Sequence, residues 1–112
     1  MSDDGLIAVV LSTLRKAGWW CARLQSGTAH GGRMKLAPAG SPDVIAIIPR
    51  RKLDHVTWWV DATPVMIECK ARKGKMREKQ LELRAWCETH GVRYVVVRSS
   101  EDVATLVLYV WG

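Results

Sequence analysis

Long apolar runs are missing from this sequence, since no stretch approaches the roughly 20 residues that a membrane-spanning helix requires. The first four residues carry two acids and no base, whereas a secretory signal peptide begins with basic residues. The three cysteines, Cys21, Cys69 and Cys87, form neither a metal-type pair nor an even disulfide set. These absences argue against a membrane span and a disulfide framework, and they predict a protein of the reducing cytosol.

Internal repeats, low-complexity segments and linkers are also absent. A chain of 112 residues is long enough to bury a core and too short for two domains. Hydrophobic residues at 48% and charged residues at 25% are ordinary for a globular fold. We therefore expect one domain over residues 1–112.

Acidic residues are scarce relative to basic ones, 11 against 17, which gives a net charge of +6. This excess indicates a polyanionic partner, although charge alone does not separate nucleic acid from a membrane surface. Basic residues cluster in a turn at 50–52, in a glycine-rich loop before residue 43 and in the segment after residue 69. The candidate DNA-binding residues are Arg33, Lys35, Arg72, Lys73, Lys75 and Arg77. The alternative is a solvated surface that only adds solubility.

Apolar spacing predicts the secondary structure. Helices are expected at residues 3–17, at 75–90 and from residue 99 or 100 onward. Strands are expected at residues 19–25, 44–48, 56–60, 65–70 and 92–97, and a long loop at 26–41. The predicted order is α-β-β-β-β-α-β-α, a mixed β-sheet flanked by helices in the α/β class.

Two short acidic motifs stand at the ends of two predicted strands. Asp43 follows Gly40-Ser41-Pro42 and precedes the strand at 44–48, whereas Glu68-Cys69-Lys70 ends the strand at 65–70. Residues two apart on a strand share a face, so Glu68 and Lys70 project together and Cys69 points to the opposite, apolar side. The hairpin between the strands predicts that Asp43 lies near this pair.

Two carboxylates and an ammonium group in a basic protein suit metal-dependent cleavage of a phosphodiester. Mg²⁺ prefers a few carboxylate oxygens plus water, and it makes a hydroxide available near neutral pH. Asp43 and Glu68 are the candidate ligands, with the backbone carbonyl of Cys69 as a third. Lys70 is the candidate for orienting the attacking water or stabilising the developing negative charge.

Each of these features also has a purely structural interpretation. Glu68 and Lys70 are compatible with an exposed charge pair, and an aspartate after proline is often a turn or cap residue. Gln80 lies in the helix stripe that faces the sheet, where its amide needs a hydrogen-bond partner. In one interpretation that partner is water, the metal shell or phosphate, and in the other it is the backbone. Of the adjacent Trp58 and Trp59, alternation buries one ring and exposes the other, for dimer contact or base stacking. The alternative is that these rings only pack in the core or in a dimer.

A family resemblance rests on these residues together. The chain carries Pro42-Asp43, Glu68-Cys69-Lys70, Gln80, a helix that ends at Gly91, and a segment from Val95 through Arg98-Ser99-Ser100-Glu101-Asp102 to Val103. This pattern resembles the virus-type replication-repair nuclease (VRR-NUC) family of the PD-(D/E)XK nuclease superfamily. The likeness runs from the first helix through Val103, nearly the whole chain.

The resemblance implies a restriction-endonuclease-like fold, dependence on Mg²⁺ or Mn²⁺, and cleavage of branched DNA such as Holliday junctions or flaps. It implies Asp43 and Glu68 as ligands, Lys70 as the catalytic lysine and Gln80 as the motif glutamine. Small members of this type resemble phage-encoded proteins that act as homodimers, which places this chain in a bacterial or phage-infected cell.

One position departs from the family pattern. Members usually carry a glutamate at the start of the first helix, near the metal, whereas this chain offers Asp3 and Asp4. Asp4 is the candidate for that role, and the alternative is an acid that complements the helix dipole. Two function classes remain: a metal-dependent endodeoxyribonuclease, active alone or with a helicase partner, and a non-catalytic DNA-binding module of the same fold.

Overall fold

The structure is a computed structural model that describes residues 3–25, 28–29, 31–32, 34–35, 37–52 and 59–111. Its elements, in chain order, are α1 (Asp3–Lys16), β1 (Trp20–Arg23), β2 (Thr28–Ala29), β3 (Met34–Lys35), β4 (Val44–Ile48), β5 (Arg51–Lys52), β6 (Trp59–Val60), β7 (Thr63–Cys69), α2 (Glu78–His90), β8 (Arg93–Val97) and α3 (Ser100–Trp111). No helix in these ranges is long and apolar enough to cross a bilayer.

The main sheet has four strands in the order β1-β4-β7-β8. The first three are antiparallel to their neighbours, and β8 runs parallel to β7. Parallel neighbours need a crossover connection, which α2 provides between β7 and β8. The predicted mixed sheet flanked by helices is therefore confirmed.

The hydrophobic core lies on one face of this sheet, under α1 and α3. Alternate residues of β4 and β7 point into it, because side chains on a strand alternate between faces. The strand residues buried there are Val44, Ala46, Ile48, Val65, Ile67 and Cys69. Helix α1 contributes Leu6, Ile7, Val10 and Leu14 at helical spacing. The opposite face carries α2, whose buried Cys87 lies 3.6 Å from the sulfur of Met66.

Beyond shifts of one or two residues at the ends of elements, three predicted segments differ from the structure. The loop expected at residues 26–41 contains a short hairpin, in which β2 pairs with β3. The strand expected at 56–60 is described only at Trp59–Val60, which pairs with Arg51–Lys52 outside the main sheet, whereas residues 53–58 lie outside the described residues. Helix α2 begins at Glu78 and not at residue 75, because the side chain of Gln80 accepts the backbone N–H of Arg77 at 2.8 Å and caps the helix there.

Candidate active site

The pairing of β4 with β7 brings the two acidic motifs together. Val44 pairs with Ile67, so Asp43 and Glu68 are the next opposed residues. Asp43 Oδ2 accepts the backbone N–H of Cys69 at 2.8 Å, and the Asp43 carbonyl accepts the N–H of Leu24 at 2.8 Å. Asp43 is thus held at the end of β4 between both neighbouring strands, beside Glu68.

Glu68 is the most deeply buried charged side chain described, with 2% of its surface exposed. Its Oε1 atom accepts a hydrogen bond from Gln80 Nε2 at 3.0 Å and lies 3.8 Å from Lys70 Nζ. Its Oε2 atom is buried and has no hydrogen-bond partner within the described part of the chain. No donor group of the described residues therefore reaches Glu68 Oε2, which lies beside the Asp43 carboxyl, and the interaction between these two acids helps to raise the pKa of Glu68.

Burial raises the pKa of Glu68 from 4.5 to about 8, and the Asp43 carboxyl adds to this while the Lys70 ammonium opposes it. At neutral pH the metal-free carboxyl is therefore largely protonated. A bound cation would reverse this, because its positive charge stabilises the carboxylate.

Lys70 continues on the same face as Glu68, and about one tenth of its surface is exposed. Its backbone N–H donates to the Val97 carbonyl at 3.0 Å, which extends the β7–β8 pairing by one residue. Strand β7 thus places the Lys70 ammonium group 3.8 Å from the buried Glu68 carboxyl. The low dielectric constant there strengthens the attraction between the two groups.

Arg98 supports the turn that follows Lys70, and the sequence reasoning assigned it no role. Its guanidinium donates to the carbonyls of Ala71 at 3.0 Å and Gly74 at 2.6 Å. The backbone N–H of Arg98 donates in turn to Asp102 Oδ2 at 2.8 Å. No spacing in the sequence signals this support, because Arg98 lies 27 residues from Ala71 and 24 from Gly74.

Gln80 connects the acid pair to the start of α2. The same amide that donates to Glu68 accepts the N–H of Arg77, so both ends of the side chain are fixed. This arrangement combines the two interpretations left open by the sequence, a contact to the acid pair and a contact to backbone.

A cleft of about 390 Å³ opens between α2 and the loop that precedes Asp43. Its lining residues are Ala39, Gly40, Ser41, Asp43, Arg77, Glu78, Lys79 and Gln80. Gly40 has a φ of +86°, and a Cβ placed on it would lie 2.6 Å from the Lys79 Cβ and 2.8 Å from the Lys79 carbonyl oxygen. Only glycine permits this close approach, which sets the width of the cleft beside Asp43.

The acids of α1 differ in their surroundings from the sequence-based expectation. Asp4, the candidate for a metal role, is exposed and forms an ion pair with Arg23 at 2.8 Å. The α1 acid that influences the site is Asp3: it adds, after burial and Asp43, to the rise in the pKa of Glu68. Of the two acids, Asp3 thus contributes to the electrostatics of Glu68, whereas Asp4 is engaged by Arg23.

Only some of the predicted DNA-binding side chains lie among the described residues. Arg72, Lys73, Lys75 and Arg77 are exposed, and Arg77 also lines the cleft. Arg33 lies outside the described residues, and so does the side chain of Lys35. The prediction that Cys69 is buried on the apolar side is confirmed, and burial raises the pKa of its thiol to about 12.

Comparison with known proteins assigns a family. The family model described as the VRR-NUC domain matches residues 9–101. A solved structure titled "VRR_NUC domain" matches with a TM-score of 0.67 at 20% sequence identity, covering 97% of this chain and 98% of that one. At this identity the second match supports the fold alone. No curated protein matches the chain.

Proposed function

The chain belongs to the VRR-NUC family of nuclease domains, and from this premise we propose that it is a metal-dependent endonuclease that hydrolyses phosphodiester bonds in branched DNA. The observation that carries the proposal is the buried Glu68 Oε2 without a partner, placed beside Asp43 and Lys70. Without a cation, that arrangement is an unsatisfied acid pair in a basic protein.

The residues fit a hard divalent cation. No cluster of three or more His, Cys, Asp or Glu side chains exists among the described residues, so the two carboxylates are the main candidates. Mg²⁺ accepts such a set, because it keeps several waters and binds one or two carboxylates rather than a full protein cage. We assign Asp43, Glu68 and the carbonyl of Cys69 as its ligands; Asp3 is better placed than Asp4 to add a carboxylate.

When bound, the ion supplies positive charge for the scissile phosphate and lowers the pKa of water. The chain's own residues then do the positioning. Gln80 and Lys70 orient the Glu68 carboxylate, and the N–H of Cys69 orients Asp43. Lys70 places its ammonium beside the site, where it can hold the attacking water or stabilise negative charge that develops on phosphate.

The path of the DNA is proposed from exposed charge. Arg72, Lys73, Lys75 and Arg77 surround the turn between Lys70 and α2, so they lie within reach of phosphates on either side of the cut. We propose the selection of branched DNA and a homodimeric state from the family likeness alone. Light scattering on the purified chain measures the dimer directly.

The test is a cleavage panel of four-way, flapped, single-stranded and linear DNA in Mg²⁺, in Mn²⁺ and in EDTA. We expect cleavage of branched DNA with either metal and none in EDTA. Asp43→Asn and Glu68→Gln are expected to abolish it while leaving the fold intact. The matched controls are Asp61→Asn and Glu88→Gln, exposed acids remote from the pair. Cleavage that persists in EDTA, or in the Asp43 and Glu68 variants, contradicts the proposal.

A further inference from the structure

The hairpin of β5 and β6 stands apart from the rest of the fold. Among the described elements, β5 and β6 contact each other and no other helix or strand. The hairpin extends β4 and β7 beyond the pair Ile48–Thr63, at the end of these strands opposite Asp43 and Glu68. We call its described residues, 50–52 and 59–60, the basic arm.

Three adjacent cations of the basic arm have no acidic partner among the described residues. Arg50, Arg51 and Lys52 are consecutive, and none has an acidic partner in the part of the chain that the structure describes. The Nε atom of Arg51 is buried without a hydrogen-bond partner among these residues. Arg23, Lys70, Lys79 and Arg84 are paired with acids, whereas the described basic residues of the arm, like Arg72, Lys73, Lys75 and Arg77, are not. Within the described residues, the arm therefore carries positive charge without an acidic partner.

An aromatic ring accompanies that charge. Trp59 is 49% exposed, and the guanidinium carbon of Arg50 lies 4.2 Å from the centre of its ring. A cation stacked on one side holds the indole in place and leaves part of its surface open to solvent. A large exposed ring on a projecting hairpin contributes little to the core of the protein.

We propose that the basic arm is a second nucleic-acid contact that binds the single-stranded part of a DNA substrate. An unpaired base stacks on Trp59, while Arg50 and Lys52 contact the adjacent phosphates. Sequence-tolerant single-strand binding combines these two features, a ring that stacks on bases and cations that follow the backbone. Duplex bases offer no free face for stacking, which is why the arm favours unpaired DNA. The inference deepens the proposed function, on which it rests for the substrate class.

The position of the arm sets the length of DNA that it requires. Seven residues separate Asp43 from Arg50, which corresponds to roughly 23 Å at the rise of an extended strand. That distance spans about seven stacked nucleotides. A single-stranded branch shorter than this does not reach Trp59 from the cleavage site.

Binding is measured by fluorescence anisotropy in EDTA, so that no cleavage interferes. The probes are a forked duplex with arms of about 15 nucleotides and a blunt duplex of equal length. Trp59→Ala is expected to weaken binding of the fork about 10-fold, Trp59→Phe is expected to restore most of it, and neither changes binding of the blunt duplex. The matched control is Trp86→Ala, a ring 50% exposed and stacked on His90 at 4.2 Å.

The proposed phosphate contacts of the basic arm are tested by the salt dependence of its affinity for DNA. Removing two phosphate contacts with Arg50→Ala and Lys52→Ala lowers the slope of log affinity against log salt for single strands by about 1.4. Arg15→Ala with Lys16→Ala, at the end of α1, removes the same charge elsewhere and is expected to leave the slope nearly unchanged. Melting temperatures verify that each variant is folded.

The inference is overturned if Trp59→Ala and Trp86→Ala behave alike, or if Trp59→Ala weakens fork and blunt duplex equally. It is also overturned if shortening the arms from about 15 to about four nucleotides leaves binding unchanged. Failure of the proposed function has a different signature: no DNA is cleaved with any metal, while the binding differences in EDTA remain.

Discussion

The two faces of β7 show how one strand serves two purposes. On one side Val65, Ile67 and Cys69 are completely or almost completely buried against α1 and α3. On the other side Glu68 and Lys70 are nearly as buried, yet both carry ionisable groups. Alternation on a strand thus places an apolar core and a charged site a single residue apart.

The difference lies in what each face needs from its surroundings. Apolar side chains require only close packing, whereas a buried carboxyl requires hydrogen bonds or an opposite charge. Gln80 and Lys70 satisfy one oxygen of Glu68 and leave the other free. The apolar face is fully packed among the described residues, whereas on the polar face we propose that a cation completes the site. The two faces should therefore respond differently to mutation.

The largest effect is expected from Lys70→Met, which keeps the length of the side chain and removes its charge. We expect cleavage to fall about 10²- to 10³-fold, because a charge aimed at developing negative charge is lost. The melting temperature should change little, because the metal-free Glu68 is able to retain its proton. Cleavage rates of branched DNA under single-turnover conditions measure the effect. A loss of cleavage that is explained by unfolding of Lys70→Met would contradict the prediction.

Ile67→Ala tests the opposite face one residue away. Removing a fully buried side chain is expected to cost about 2–5 kcal/mol of unfolding free energy, since the surrounding core closes only partly over the cavity. The cleavage rate per folded molecule should stay near that of the wild type. Urea denaturation and active-site titration separate the two quantities. An intact fold with lost cleavage would mean that the faces are not independent.

Several parts of this site were readable from the sequence because they depend on local spacing. The two-residue interval between Glu68 and Lys70 predicts a shared face, and the apolar run after Asp43 predicts a strand. Both predictions follow from the alternation of a strand and require no knowledge of what packs against it. The position of Gln80 was predicted in the same way from helical spacing.

Other parts depend on contacts between distant segments, which spacing does not encode. The bonds from Arg98 to Ala71 and Gly74 cross more than 20 residues of sequence. The choice between Asp3 and Asp4 depends on where Arg23 lies, because its guanidinium binds one of them. Likewise the separation of β5 and β6 from the main sheet is a property of the folded hairpin and not of its residue pattern.

Gly40→Ala compared with Gly18→Ala separates backbone strain from site geometry. Both glycines have a φ of +86°, so the left-handed backbone alone should cost both substitutions roughly 1 kcal/mol of stability. A Cβ at Gly18 meets nothing within 4 Å, whereas one at Gly40 overlaps the Lys79 backbone. Only Gly40→Ala should displace the loop beside Asp43 and lower cleavage, by about 10-fold on the scale that small misplacements of catalytic groups produce. Equal cleavage by both variants would show that the close approach does not shape the site.

The last expected effect, which is on stability and not on cleavage, is the pH dependence of the metal-free protein. The pKa of Glu68 is raised from 4.5 to about 8. Between these two pH values the Glu68 carboxyl is therefore protonated in the folded state and ionised in the unfolded state. The folded state binds more protons in this window, so stability is fully present below pH 4.5 and decreases as pH rises toward 8. Melting temperatures in EDTA should therefore fall by several degrees across the window. Glu68→Gln should remove this component, and saturating Mg²⁺ should suppress it, because a metal-bound carboxylate holds no proton. If the wild-type profile were identical to that of Glu68→Gln, ionisation of the buried Glu68 carboxyl would cost no stability. A cation would then have no such loss of stability to relieve.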